Sequence, residues 1–462
     1  MAWSEAEHAV LQSLTDFLSV RLTSSVHRYV VGFSAGPDSM ALAWALSRLP
    51  ESLSRPLHLV HVHHGLHPQA DAWALIARQF AGRIGAGFAL HRVKVAGDAN
   101  VEAEARALRY RAIASETGPD DVVLLAHHRD DQAETLLLRL CRGAGVTGLA
   151  AMREVSWLPS PGVRRQCWRP LLSTSRADLT ALLAEAGLEP VLDDSNENIR
   201  YRRNFLRHEI LPRLERASPG TAERLTGTAQ LMRETDDLLA ELAREWLAPL
   251  QRPDGGLDIP GLLALPETRF NLVVRQWFME AGLHLPGRAL LARLRREVCE
   301  AREDAAPSLR WSGTDLRRYR SVLHAVPVAR GTDRRWRVGW PFGQKELSLP
   351  DGRRLSWERA DTGAVDPERL QRASISVALR QGGERIRLPG RAHRTPLKNL
   401  FQDGGVPPWR RDHVPLIYAD GELAVVGSWW VSDAFAVRGA GWRLREVSWL
   451  PTYSTGPISS IP

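Results

Sequence analysis

The chain has 462 residues, 44% of them apolar and 25% charged, which allows two or three cored domains and excludes wholesale disorder. Its net charge of +8 favours a polyanionic partner, while three scattered cysteines (Cys141, Cys167, Cys299) argue against a disulfide framework, a zinc ribbon or an iron–sulfur cluster. No apolar run approaches the roughly 18 residues of a membrane span, and "MAWSEAEHAV" is not an export signal, so a cytoplasmic protein is expected.

Short runs rich in Val, Leu and Phe recur in the first third: 29–33 "YVVGF", 57–64 "LHLVHVHH", 88–95 "FALHRVKV" and 121–127 "DVVLLAH". Helical patterns lie between them near 39–49, 70–86 and 101–117, and another follows over about 131–142. Strands alternating with helices predict an α/β fold, a Rossmann-like parallel sheet with helices on both faces. Ligands of such sheets sit at the carboxyl ends of the strands, so the loops after residues 33, 64 and 127 are expected to share one cleft.

From about 216, "TAERLTGTAQLMRETDDLLAELAREWLAPL" carries apolar residues at helical spacing, and a helical middle domain is expected over 216–307. A strand-rich connecting segment follows at 308–373, then a small α+β C-terminal domain at 374–447 and a loose tail at 448–462, with 1–215 as the first domain.

The first loop, Ser34-Ala35-Gly36-Pro37-Asp38-Ser39, joins a strand to a helix, where backbone N–H groups can cradle phosphate. It is neither a Walker loop nor a dinucleotide fingerprint, since GxxxxGK[ST] is missing from the chain and GxGxxG from this loop. Its bland alternative is a turn capped by Ser34 or Asp38; a carboxylate beside phosphates makes sense if Mg²⁺ lies between them, with Asp38 as ligand. In "HHRDDQAET", His127 and His128 end a strand, Asp130 or Asp131 caps the next helix, and Asp131 and Glu134 share a face at i, i+3. These carboxylates could hold a cation or an ammonium group, although an acidic first turn also suits the helix dipole. His61, His63, His64 and His67 of "HVHHGLH" invite a metal reading, but strand geometry turns His63 and His64 apart, and a metal held there is disfavoured.

Almost all the basic charge is arginine, with only Lys94, Lys345 and Lys398 as lysines, so its placement matters more than its total. Two concentrations are candidate nucleic-acid surfaces: 198–216, with Arg202, Arg203 and Arg207, and 380–413, with Arg385, Arg387, Arg391, Arg394, Lys398, Arg410 and Arg411. Trp409, behind Pro407-Pro408, is either a stacking platform for a base or a packed core residue.

In this order the motifs resemble those of the PP-loop (N-type) ATP pyrophosphatases, and within them the tRNA(Ile)-lysidine synthetase family. "SAGPDS" is similar to SGGxDS, "HVHHGLH" to HxNHGLR, and "EAEARALRY" contains ARxxRY. "HHRDDQAET" meets HHxDDxxET in full, and "DDSNENIRYRRNFLRHEILPRL" and "LRQGGERIRLPGRAHRTPLKNLFQDGGVPPWRRD" resemble later parts of that family. The match weakens over 300–370, and Ala35, His63 and His67 depart from the family pattern.

The resemblance implies ATP-dependent attachment of free L-lysine to C2 of the wobble cytidine in an isoleucine tRNA with a CAU anticodon, through an adenylylated cytidine. It implies that residues 34–39 bind ATP, that His127, His128 and Asp130 contact nucleotide or act in catalysis, and that Asp131 and Glu134 hold the ammonium groups of lysine. Arg203 is the favoured partner for its carboxylate, with Arg207 the alternative. Thiolases of the same superfamily fit poorly, because the cysteines lack the spacing for sulfur relay. At Ala35 the loop is expected to need a small side chain rather than a positive φ. The oligomeric state is open, a homodimer included.

Overall fold

The computed structural model describes residues 5–95, 101–160, 164–302, 305–328, 333, 335–361, 364–437 and 439–447; the expected tail at 448–462 lies outside them. Two compact units divide the chain, residues 1–238 and 239–462.

The first unit opens with helix α1 (Glu5–Arg21), then β1 (Arg28–Gly32), α2 (Pro37–Ser47), β2 (Leu57–His63), α3 (Ala70–Arg83), β3 (Gly87–Arg92), α4 (Val101–Ser115), β4 (Asp121–Leu124) and α5 (Arg129–Leu140). Short α6 (Val146–Leu149), β5 (Val155–Trp157), β6 (Gln166–Trp168) and α7 (Arg176–Glu185) complete the layer structure. The sheet runs β3-β2-β1-β4-β6-β5, parallel except for the β5–β6 pair.

Strand alternation assigns the two faces. Tyr29 and Val31 of β1 join a core with α1, α2 and α7, while Val30 packs with Val60, Val123, Tyr110 and Ile113 on the α4 side. Helix α2 is buried without a break from Ser39 to Leu46, and its alanines let it lie close to the sheet. Each fully buried Leu or Val adds about 1.5–3 kcal/mol to this packing. Strands β2 and β3 are laid down to one side of β1 and β4 to the other. The strand order reverses between β1 and β4, which opens a crevice at their carboxyl ends.

A helix then runs from α8 (Arg202–Phe205) through a π-helical stretch, Leu206–Ile210, into α9 (Leu211–Ala217). Pro212 has no N–H to continue an α-helical ladder, and its ring crowds the carbonyl one turn back, which accounts for the widened turn before it. Helix α10 (Thr221–Leu247) carries the chain across the division.

In the second unit, helices Ile259–Ala264, Glu267–Glu280 and Arg288–Arg293 share one core with an antiparallel sheet built from Leu257–Asp258, Ser308–Trp311, Thr314–Tyr319 and Val322–Pro327. Trp277, Phe270 and Phe278 bury against Leu309, Leu316 and Leu323. This corrects the expected connecting segment at 308–373: its first strands complete the helical core. Its later ones, Arg337–Gly339, Glu346–Ser348 and Arg354–Ala360, enter two five-stranded sheets with strands from 364–447. A hairpin-like strand pattern cannot reveal from sequence alone which core its apolar face will join.

Candidate active site

The phosphate-type loop begins where β1 ends. Gly36 is the N-cap of α2 and Pro37 its first residue, so neither Ser34 nor Asp38 caps the helix. Instead the two serines brace the loop: Ser34 N–H donates to Ser39 Oγ (3.2 Å), Gly36 N–H to Ser34 Oγ (3.3 Å), and Ser39 Oγ to the Gly36 carbonyl (3.1 Å). The Val191 N–H holds the Ala35 carbonyl at 2.9 Å. The first-turn N–H groups of Asp38 and Ser39 face out of the helix end, an anion cradle by position and dipole.

Ala35 has φ 64°, in the left-handed region, and is fully buried. The expectation that this position needs only small size is therefore wrong. The loop requires a positive φ here and a small residue as well, and alanine meets the second requirement at the expense of strain. Gly36 has an ordinary extended conformation, φ −73°.

Across the crevice, β4 leads into α5, whose N-cap is His128 rather than Asp130 or Asp131. Asp131, three residues on, reaches back to accept the His128 N–H at 3.1 Å. Asp130 instead accepts the Arg176 N–H (2.9 Å), tying α5 to the start of α7. Burial would raise the Asp130 pKa, but His128 and that N–H outweigh it and hold the carboxyl at about 2.

The His128 ring is fully enclosed among three carboxylates: Nε2 lies 3.6 Å from Asp38 Oδ1 and 3.5 Å from Asp131 Oδ2, and Nδ1 lies 3.4 Å from Asp130 Oδ2. These distances make charge contacts rather than well-formed hydrogen bonds. Burial works against the imidazolium, yet Asp130 and Asp38, with Asp131, overcome it and raise the pKa to about 10. His127 is the opposite case. Burial dominates and pushes its pKa down to about 3 despite Asp131, and its Nδ1 is buried without a hydrogen-bond partner among the described residues. One histidine is thus a fixed cation and its neighbour a neutral ring, a difference that adjacent identical letters could not show.

Asp131 and Glu134 do lie on one face of α5, and the helix that runs from α8 into the π-helical stretch lays Arg203 and Arg207 over them. Arg203 donates from Nε to Glu134 Oε2 (2.6 Å) and from Nη2 to Asp131 Oδ1 (2.7 Å). Arg207 donates from Nε to Glu134 Oε1 (2.5 Å) and from Nη2 to Glu134 Oε2 (3.1 Å) and Asp131 Oδ1 (3.2 Å). Spacing of i, i+4 puts both guanidiniums on one helix face, so Arg207, one of the expected tRNA contacts, turns onto these carboxylates. Both of the arginines weighed for the lysine carboxylate thus pair with Asp131 and Glu134.

The expected tRNA-contact residues differ in exposure and in pairing. Arg202, Arg391 and Lys398 are exposed. Arg387 pairs with Asp433 (2.9 Å), Arg394 with Glu422 (2.7 Å), Arg385 donates to the Arg394 carbonyl (2.9 Å), and Arg411 donates to the Val406 carbonyl (2.8 Å). Arg410 and Trp409 are half-buried; the Trp409 ring meets Tyr319 at 6.0 Å and His324 at 5.4 Å, so it packs the second unit instead of standing free as a platform.

The histidines of this cluster turn to separate partners. His61 Nδ1 contacts the Phe33 carbonyl (3.0 Å), His63 faces Asp71 (3.4 Å), and His67 faces Asp194 (3.1 Å). His67, Asp193 and Asp194 could reach one ion. Yet His67 Nδ1 accepts the Gln69 N–H (3.1 Å), which leaves the ring proton on Nε2 to donate to Asp194. For Mg²⁺, Asp38 is suitable: its Oδ1 is buried without a hydrogen-bond partner among the described residues, an oxygen of the kind a hard cation takes. No helix among the described residues is long and apolar enough to cross a membrane.

Comparison with known proteins gives this geometry its context. The PP-loop domain family matches residues 6–214, the TilS substrate binding domain 257–324, and the TilS substrate C-terminal domain 375–449. The tRNA(Ile)-lysidine synthase of Methylococcus capsulatus is 37% identical over 92% of this chain and 96% of its own. Those of Alkalilimnicola ehrlichii (38%, over 90% and 92%) and Chromobacterium violaceum (39%, over 91% and 96%) are similar throughout. With a phosphate loop at the strand crossover, the HHxDDxxET helix facing it, and relatives that match nearly end to end, the chain belongs to the tRNA(Ile)-lysidine synthase family.

Proposed function

We infer that the protein uses ATP to join free L-lysine to C2 of the wobble cytidine of an isoleucine tRNA with a CAU anticodon, releasing AMP and diphosphate. The observation that carries this reading is the meeting of two helix starts: Asp38 at the end of the phosphate loop and Asp131 of α5 share the enclosed His128 ring at 3.6 and 3.5 Å. A nucleotide on the loop and an amino acid on α5 would then lie side by side.

The chemistry needs two steps. The cytidine O2 attacks the α-phosphorus of ATP, the bond to diphosphate breaks, and AMP becomes attached to O2. The lysine ε-amine then attacks C2, and the C2–O bond breaks with AMP as leaving group. Residues 34–39 orient the triphosphate through the helix N-terminus, with Asp38 as the ligand of Mg²⁺. When bound, that ion would neutralise phosphate charge. His128, held as an imidazolium, adds fixed positive charge beside the loop. His127, neutral and with a free Nδ1, is suited to accept a hydrogen bond from substrate. Asp131 and Glu134 bind the ammonium groups of lysine and Arg203 its carboxylate. Exposed Arg202, Arg391 and Lys398 contact the tRNA backbone, and the anticodon loop opens so that the wobble base reaches the crevice. A homodimer remains compatible with this arrangement.

Incubation with ATP, labelled lysine and an isoleucine tRNA transcript bearing CAU tests the reading. It expects label in the tRNA with release of AMP, and no label in a methionine tRNA. ATP binding without lysine transfer overturns it.

A further inference from the structure

The carboxylates that the reading above gives to the amino acid are already engaged. Glu134 is 1% exposed, and both its oxygens accept guanidinium N–H groups. Asp131 offers Oδ1 to Arg203 and Arg207 and Oδ2 to the His128 N–H. An ammonium group needs a carboxylate oxygen at about 2.7–2.9 Å with room for its other donors. It cannot take that place beside two guanidiniums, so one of them must withdraw.

The two arginines differ in the backbone that carries them, although Arg207 makes the more bonds and is the less exposed. Arg203 spans the carboxylates with bonds of 2.6 and 2.7 Å and rises from a regular α-helical turn. In that turn Asn204 Nδ2 donates to the Asn198 carbonyl (3.1 Å). Arg207 makes one short bond and two of 3.1 and 3.2 Å, and it stands on the π-helical stretch before Pro212. Such stretches are marginal in geometry and are found where a helix must adjust. A guanidinium in this position is the chemical likeness of a cationic ligand end: planar, charged and bidentate on the same carboxylate pair.

We propose that Arg207 is a resident plug of the amino-acid pocket, occupying the ammonium position on Glu134 and Asp131 until lysine displaces it, while Arg203 stays to meet the carboxylate. This rests on the lysine-ligation reading. It makes Arg207 a specificity-determining residue. The carboxylate pair is shaped for a guanidinium, so small guanidinium compounds would compete with lysine if Arg207 did not already fill the place.

Full-length protein with Arg207→Met, which keeps an unbranched stem without the charge, tests this in the tRNA lysylation assay with methylguanidinium as probe. The expected result is a KM for lysine lowered several-fold. Methylguanidinium should then compete with lysine in the variant at concentrations that leave the wild type untouched. A raised KM, with methylguanidinium inert toward both proteins, overturns the plug and makes Arg207 a clamp on substrate. Should the variant fail to fold, hydrogen exchange of the wild type decides: lysine added with ATP and tRNA should speed exchange in residues 206–211, and unchanged or slowed exchange there overturns the proposal. A wild type that transfers no lysine at all refutes the ligation reading and the plug with it. Lysine transfer without the predicted shift refutes the plug alone.

Discussion

Ala35 holds φ 64° inside a buried loop, a backbone state that burdens any residue bearing a Cβ by roughly 1–2 kcal/mol. Ala35→Gly removes the strain but frees the unfolded chain, so the net gain in stability should be about 1 kcal/mol, read from urea unfolding. A loss of stability would mean that the methyl group's packing outweighs the strain. His128 offers a pH test. Its folded pKa, about 10, lies above the ordinary histidine value, so its stabilising contribution is complete below about pH 6.5 and declines as pH rises toward 10. Measured at pH 6 and pH 9, the stability gap between wild type and His128→Gln should therefore narrow at the higher pH. A gap that widens would contradict an imidazolium at this position.

Ion pairs tie α5 to α8 and to the π-helical stretch that follows it. Glu134 is the centre of that joint, bonded by both Arg203 and Arg207 from beneath a nearly complete cover of protein. Glu134→Gln leaves two guanidiniums facing a neutral amide, and removing one partner of a buried pair typically costs about 3–5 kcal/mol. Because both arginines keep partial solvent access, about 3 kcal/mol is expected, with lysine-dependent activity lost and ATP binding retained. Retention of lysine activity would remove Glu134 from the pocket. The helices themselves were legible. The period of 39–49, 70–86, 101–117 and 131–142 finds its match in α2, α3, α4 and α5, with boundaries that move by a few residues. The cap of α5 was not legible, because an aspartate three residues into a helix can reach back as well as an aspartate at its start can cap it.

For the whole molecule, the excess of arginine and the +8 charge bear on tRNA association. Exposed Arg391 and Lys398 are free to meet phosphate, whereas Arg387 and Arg394 are already paired with Asp433 and Glu422. Replacing Arg391 and Lys398 together by alanine should weaken tRNA binding and lower the slope of log K against log salt by about 1–2. KM values for ATP and lysine should be unchanged. An unaltered slope would place the phosphate contacts elsewhere. Trp409→Ala, by contrast, should act through packing against Tyr319 and His324, lowering the stability of the second unit by about 3 kcal/mol. An effect on tRNA affinity with stability intact would restore the stacking role.

By itself, the sequence determined the alternation that makes a parallel sheet, the loop at the end of β1, and the carboxylates and arginines of the α5 and α8 region. Each of these follows from local periodicity and residue chemistry over a few turns of chain. Only the tertiary structure decided what those groups do to one another. Packing sets φ at Ala35, encloses His128 with three carboxylates while leaving His127 neutral, and turns Arg207 inward onto Glu134. Conformation, protonation and pairing depend on burial and on partners far away in the chain, and a linear pattern records neither.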